Sequence, residues 1–438
     1  MEWWLVLLLI FGSLLVVLAS GMPVAFGLLL LSLMGAYIYF GGQAGLVLLI
    51  FGVSSSVATF TNLPILLFVL MGEVIFHSGI APNLIDAIDK WLGHLPGRLA
   101  LVAVGAGVLL ATLTGVSMAS AAMLGTVLVP EMEKRGYKKE MSIGPIMASG
   151  TLAAMIPPSA LAVLLGIVGD VSIGKTLIAI IIPGLLMASV FAAYIIIRCK
   201  LQPSLAPSYE VSHVPLRDKL TAAACNILPV GIIIFLVTGV IFLGIATPSE
   251  AAATGALGCF LLAAAQRTLN WQVVKKSAFG TIRVAAMILI ILVGATLFGQ
   301  VMAASGTTQS LVKFVVGLDL PPIVILILMM IVVFILGCPL DAVPILMITV
   351  PLFMPIVQAL GYDPVWFAVI MLINLEVAPI SPPFGLVLFV MKGVAPPDTT
   401  MEDIFKASIP FCICDLVSIA LVMAFPAMAL WLPSIMLK

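Results

Sequence analysis

The sequence predicts an all-α polytopic membrane protein made of two inverted repeats, each carrying a re-entrant hairpin and a broken helix. Three observations lead there. Of 438 residues, 63% are hydrophobic and 9% charged, against about 25% charged in a soluble domain. Apolar runs of about 20 residues recur from end to end, each able to cross a hydrocarbon core of about 30 Å. Landmarks of the first half return 225 positions later: Pro23 and Pro248, Leu95-Pro96 and Leu320-Pro321, Pro130 and Pro355, Gly136-Tyr137 and Gly361-Tyr362, Pro157-Pro158 and Pro382-Pro383. A half-length repeat interrupted at matching places is the pattern of a secondary transporter.

The first apolar run, Trp3 to Leu18, lacks a basic n-region and is followed at once by further spans, so it reads as a crossing and not a signal peptide. Spans then follow at 22–40 and 43–79, a hairpin at about 99–130, a broken helix at about 142–170 and a span at 175–198. Together these make a first repeat of 1–198. Residues 199–218, with Pro203, Pro207, Pro215 and several charges, form a linker. The second repeat, 219–438, runs 219–244, 247–265, 277–303, a hairpin at about 320–355, a broken helix at about 364–391 and 404–432.

If each hairpin enters and leaves on one side, each half crosses five times, and an odd number inserts the second half upside down. The loop after the first hairpin holds Lys134, Arg135, Lys138 and Lys139, whereas its twin, 358–364, holds no Lys or Arg and carries Asp363. Basic residues mark the cytoplasmic side, so the twin loops lie on opposite sides. The linker then falls in the cytoplasm with Arg267, Lys275, Lys276 and Lys392, and both termini are periplasmic. Lys313 is a minor exception.

Zero formal net charge gives nothing for nucleic acid to bind. The six cysteines lack metal or disulfide spacing, and three histidines leave little scope for a metal cage or a histidine-based catalytic site. Gly169 to Thr176, GDVSIGKT, fits the phosphate-loop pattern, but that loop needs a preceding strand. Here it joins two membrane spans, and Lys175 reads as a snorkelling anchor. Glu73 and His77 lie one turn apart and can pair, and Glu250 after Thr247 reads as a helix cap.

Chemistry concentrates at the tips and the breaks. LTGVSMAS (113–120) is small and hydroxyl-rich, suited either to close helix packing or to coordinating a hard cation. In SGTLAAMIPPS (149–159) the double proline removes two donors and must unwind the helix. APISPPFG (378–385) does the same in the second half. Freed carbonyls at membrane depth must face protein, water or an ion, so two symmetric breaks point to paired cation sites. Asp341 in the second tip is a carboxylate inside an apolar run, a costly placement that marks function. Its possible roles are to balance a cation, cap the tip or form a buried pair. Thr114, Gly115, Thr151, Ser159, Glu376 and Gly385 are candidates for the substrate pathway.

LTGVSMASAAMLG, SGTLAAMIPPS, ATPSEAAATG, LGCPLDAVPILMITVPLFMPI and ISPPFG together resemble the large membrane subunit of TRAP transporters, the tripartite ATP-independent periplasmic uptake systems. The resemblance covers essentially the whole chain. It implies an ion-transporter-like elevator fold and Na⁺-driven uptake of an organic anion, such as a C4-dicarboxylate or sugar acid, across the bacterial inner membrane. It also implies a small four-helix membrane subunit, expected as a separate chain, and a periplasmic substrate-binding protein. By the same resemblance the first Na⁺ site uses Ser117, Ser120 and backbone oxygens near Ala153, Ile156 and Pro158. The second uses Gly337 and Asp341 with Ala378, Ser381 and Pro383. Na⁺ is the one implied cofactor, with no organic one. Ala153 stands where the family usually has glycine, and Cys338-Pro339 interrupts the small run before Asp341.

Two rivals remain. A self-sufficient carboxylate or oxyanion exchanger of related hairpin fold would need no binding protein. An intramembrane enzyme would need a buried catalytic pair, and Glu73 with His77 has neither a twin in the second half nor a nucleophile motif nearby.

Overall fold

The computed structural model describes residues 2–93, 95–114, 117–207, 214–337 and 340–437. The first half holds α1 (Trp3–Ala19), α2 (Val24–Tyr39), α3 (Gln43–Val57), α4 (Leu63–Ser78) and α5 (Ala81–Leu92). A hairpin of α6 (Arg98–Thr114) and α7 (Ser117–Lys134) follows, then a broken helix of α8 (Lys139–Thr151) and α9 (Ala160–Val168), then α10 (Ile173–Ala179) and α11 (Ile181–Leu201). After the linker, α12 (Leu216–Ala222), α13 (Leu228–Ile234) and α14 (Val240–Phe242) make one span joined by π turns. Next come α15 (Pro248–Ala265), α16 (Trp271–Ala304) and α17 (Thr307–Val316). A second hairpin, α18 (Pro322–Gly337) with α19 (Ala342–Ala359), precedes a second broken helix, α20 (Pro364–Val377) with α21 (Leu386–Val394), and then α22 (Met401–Ala424) and α23 (Ala427–Ile435).

Among the described residues the regular structure is helical throughout, and the halves match element by element around the hairpins and breaks. Both double prolines carry a cis peptide bond. The expected single span 43–79 needs correction. It is divided at 58–62, where the Asn62 amide donates to the carbonyls of Ser56 (2.8 Å) and Val57 (3.2 Å) and closes α3. Pro64 then opens α4, where its missing N–H costs nothing. The twin of this stretch, α16, runs unbroken for 34 residues. The short helices α5 and α17, which correspond to each other at the 225-residue offset, were not among the expected elements.

Seven helical stretches among the described residues are long and apolar enough to cross a membrane. Large apolar side chains stand exposed on the outer helices, including Leu8, Val16, Ile38, Phe51 and Ile335, a surface compatible with lipid and not with water. The protein is therefore a multi-pass membrane protein. Its core forms around the two broken helices. Met141–Thr151 of α8 and Val365–Val377 of α20 are buried on every face, as befits helices without a polar stripe. Asp363 caps α20 by accepting from the N–H groups of Val365 (2.7 Å) and Trp366 (3.2 Å).

One end of the molecule gathers three segments. Lys139 pairs with Asp398 at 2.7 Å, and the Lys138 N–H donates to the Leu205 carbonyl at 2.9 Å. The loop after the first hairpin, the linker and the loop after α21 thus meet, the basic first loop pairing with the acidic Asp398 of the third. Elsewhere α10 touches α14 and α23, and the Leu437 N–H donates to the Phe242 carbonyl at 3.1 Å.

Candidate functional site

Glycines let each hairpin lie against the broken helix of its own half. A Cβ at Gly107 of α6 would overlap that of Ser149, and one at Gly150 would stand 2.9 Å from the Ser117 carbonyl oxygen and 3.1 Å from Ala121 Cβ. Both arms of the first hairpin therefore press on the end of α8 and on the tight turn Leu152–Ala154 that follows it. In the second half a Cβ at Gly337 would overlap that of Ala378, so the end of α18 sits directly on the second break.

The two tips and the two breaks then converge on one cavity of about 230 Å³. Ser117 and Met118 open α7, Ala160 and Leu161 open α9, Asp341 and Ala342 open α19, and Leu386 opens α21; all line it. Glu376 and Pro379 contribute from the second break, with Val69 of α4 and Met287 and Ile288 of α16 as a wall. Four helix N-termini meet there, each presenting partial positive charge. Larger recesses, about 830 Å³ between α3 and α16 and about 440 Å³ at the ionic end, touch neither tip nor break.

The Ser117 hydroxyl donates to Glu376 Oε2 at 2.5 Å, tying the first tip to the second break. Ser120 is fully buried one turn along α7. Ala153, Ile156, Pro158, Thr151 and Ser159 are all buried at the first break. There Thr151 donates to the Ala148 carbonyl at 2.7 Å, and Ser159 caps α9 by accepting from the Ala162 N–H at 3.2 Å. At the second break Ser381 donates to the Ala378 carbonyl at 2.8 Å, Gly385 is buried under Pro379, and Pro383 is exposed. Gly115 and the Thr114 side chain lie outside the described residues, as do Cys338 and Pro339.

No group of three or more His, Cys, Asp and Glu that could hold a metal occurs among the described residues. The oxygens gathered at tips and breaks are hydroxyls, carbonyls and the carboxylates of Asp341 and Glu376. That all-oxygen donor set suits a hard cation and not a soft transition metal.

Sequence reading missed the α4–α16 wall, whose Val69, Met287 and Ile288 look like ordinary span residues. It also missed Asp415 in α22, which is fully buried with neither carboxylate oxygen hydrogen-bonded among the described residues. The signal was present, a carboxylate in an apolar run, the same that singled out Asp341. Glu73 and His77 pair at 3.2 Å but do not line the cavity. Glu250 completes a capping box with Thr247. The phosphate-loop pattern is preceded by α9, not a strand, and leads into a seven-residue helix with Lys175 exposed.

Comparison with known proteins adds a family. The description "Tripartite ATP-independent periplasmic transporter, DctM component" matches residues 11–428. The C4-dicarboxylate TRAP transporter large permease protein DctM of Pseudomonas aeruginosa is 32% identical over 86% of each chain. The sialic acid TRAP transporter large permease protein SiaM of Vibrio cholerae is 29% identical over 95% of this chain and 96% of its own. The isethionate TRAP transporter permease protein DctMQ of Oleidesulfovibrio alaskensis is 31% identical over 97% of this chain, which spans 65% of that longer protein. Among solved structures, the Alcanivorax borkumensis YdaH transporter superposes with a TM-score of 0.66 over 89% of both chains at 15% identity, a likeness of fold.

Proposed function

The chain belongs to the family of the DctM component of tripartite ATP-independent periplasmic transporters, and from that premise we propose that it moves an organic anion inward in exchange for the free energy of a Na⁺ gradient. The observation that carries this reading is the electrostatics of the shared cavity. Asp341 and Glu376 line it, and among the described residues no Lys, Arg or His does. An anion entering such a space needs positive charge from elsewhere, and helix N-termini with bound cations are what remains. The first cation would sit between Ser117, Ser120 and the carbonyls near Ala153, Ile156 and Pro158. The second would sit between Gly337, Asp341, Ala378, Ser381 and Pro383. When bound, these ions would supply the positive field; the chain's own groups orient the tips and exclude water. Thr114, Gly115, Thr151, Ser159, Glu376 and Gly385 would flank the path of the substrate. Coupling follows if Na⁺ and anion each favour the state in which the other binds.

The movement is read as an elevator. The hairpins and broken helices pack mainly on one another and on α22, whereas α2, α4, α15 and α16 pack among themselves, a division suited to one body sliding on another. The halves are read as inverted repeats in the bacterial inner membrane, with the ionic end and linker cytoplasmic and the termini periplasmic. The partners are a small membrane subunit and a periplasmic binding protein; the DctMQ relative is the longer chain. The substrate class is a carboxylate or related oxyanion, in line with the names of the relatives.

The test is uptake into proteoliposomes holding this chain and its small subunit, with and without Na⁺ and the binding protein. Dependence on both is expected. Undiminished uptake without Na⁺ would sink the coupling, and uptake without the binding protein would favour a self-sufficient exchanger.

A further inference from the structure

We propose that Glu376 sets substrate specificity by accepting a hydrogen bond from a hydroxyl or amino group of the transported anion, so that the cavity takes a hydroxy- or amino-carboxylate with a compact apolar side in preference to a plain dicarboxylate. This rests on the reading of the cavity as the substrate site. Glu376 is 3% exposed and still lines that cavity. One of its oxygens takes the Ser117 bond, and a carboxylate offers about four lone-pair positions, so acceptor capacity is left for a ligand. Asp341 and Ser117 are the other polar lining groups, and both are engaged by the cation reading.

The charge pattern selects the ligand. Among the described residues no basic residue lines the cavity. A ligand carboxylate set against Glu376 finds no cationic partner there, whereas a hydroxyl or ammonium finds an acceptor. The opposite wall is aliphatic, with Val69, Leu161, Met287 and Ile288. A second carboxylate there would be desolvated without a partner, while a small branched alkyl group would bury apolar surface. A site that hydrogen-bonds a ligand group discriminates against analogues lacking it far better than an apolar pocket does.

The test uses the full-length chain in lipid nanodiscs with Na⁺. Binding is measured calorimetrically for 2-hydroxy-3-methylbutanoate, valine, 2-oxo-3-methylbutanoate, 3-methylbutanoate and succinate. The hydroxy acid or valine is expected to bind at least about tenfold tighter than the oxo and unsubstituted acids and than succinate. In Glu376→Leu that preference should collapse. Glu376→Gln, which keeps a carbonyl acceptor, should retain part of it and guards against a folding defect in the first variant. Equal binding of the three methylbutanoates, or a preference that survives Glu376→Leu, overturns the proposal. Tighter binding of succinate overturns it and leaves the organic-anion reading standing, whereas binding of none of the five overturns both.

Discussion

The hydroxyl of Ser117 donates to Oε2 of Glu376 across 2.5 Å, joining residues 259 positions apart in the chain. Ser117 opens α7 in the first half, and Glu376 lies in the last turn of α20, just before the second break. The first tip is thus held by the second half, and displacement of one is felt by the other.

Ser117→Ala removes the donor to a buried carboxylate. A cost of about 1–3 kcal/mol is expected, seen as a thermal midpoint lower by several degrees. The Na⁺ concentration for half-maximal uptake should rise in parallel. Ser117→Thr, which keeps the hydroxyl, should recover most of both. A Ser117→Ala protein indistinguishable from the parent in midpoint and Na⁺ dependence would refute this role.

Gly337 is required by contact and not by backbone angle. A Cβ there collides with Ala378 Cβ, so Gly337→Ala should overpack the second break at about 1–3 kcal/mol and slow uptake. Ala378→Gly in the same chain should relieve much of the penalty, because it deletes the colliding atom. A double variant no better than the single one would argue against direct contact.

Asp415 is fully buried and neither oxygen has a hydrogen-bond partner among the described residues. Burying an unpaired polar group costs about 1–3 kcal/mol or more. Asp415→Asn, which removes a formal charge at constant shape, should therefore raise the thermal midpoint. A lower midpoint would mean that the carboxylate is paired in the membrane-embedded protein.

The ionic end gives a pH prediction. The Asp398 carboxyl is held below its ordinary 3.8, chiefly by the hydrogen bond from Lys139, and the Lys139 ammonium is raised above 10.5, chiefly by Asp398. A lowered carboxyl contributes stability that is complete above 3.8 and lost as pH falls through its lowered value. A raised ammonium contributes fully below 10.5 and loses its contribution as pH rises through the raised value. The pair is therefore flat across neutral pH. Lys139→Gln should lower the midpoint slightly and equally at about pH 6 and 8. The difference should shrink with added salt and vanish in strong acid. A difference that grows with salt would exclude an ion pair as its cause.

Much of this molecule was legible in one dimension because its strongest signals are local. The hydropathy runs set the membrane class. Pro157-Pro158 and Pro382-Pro383 dictate helix breaks wherever they fall, since proline lacks the N–H that a helix needs. The small residues at 113–120 and the tip at 337–341 mark the turns of the hairpins. The division at 58–62 was less visible, because Val57 and Ala58 carry no breaker and the helix ends on side-chain bonds from Asn62 to carbonyls it must first reach in space.

The sequence by itself determined the helical membrane class, the doubled layout, and the pairing of each tip with the break of its own half through the repeat register. The tertiary structure alone decided that the two halves share a single cavity, that Ser117 finds Glu376, and that α4 and α16 supply the apolar wall. Periodicity and proline act within a few residues of themselves. The meeting of two halves depends on how whole helices pack, and there the absence of Cβ atoms at Gly107, Gly150 and Gly337 sets how closely backbones approach.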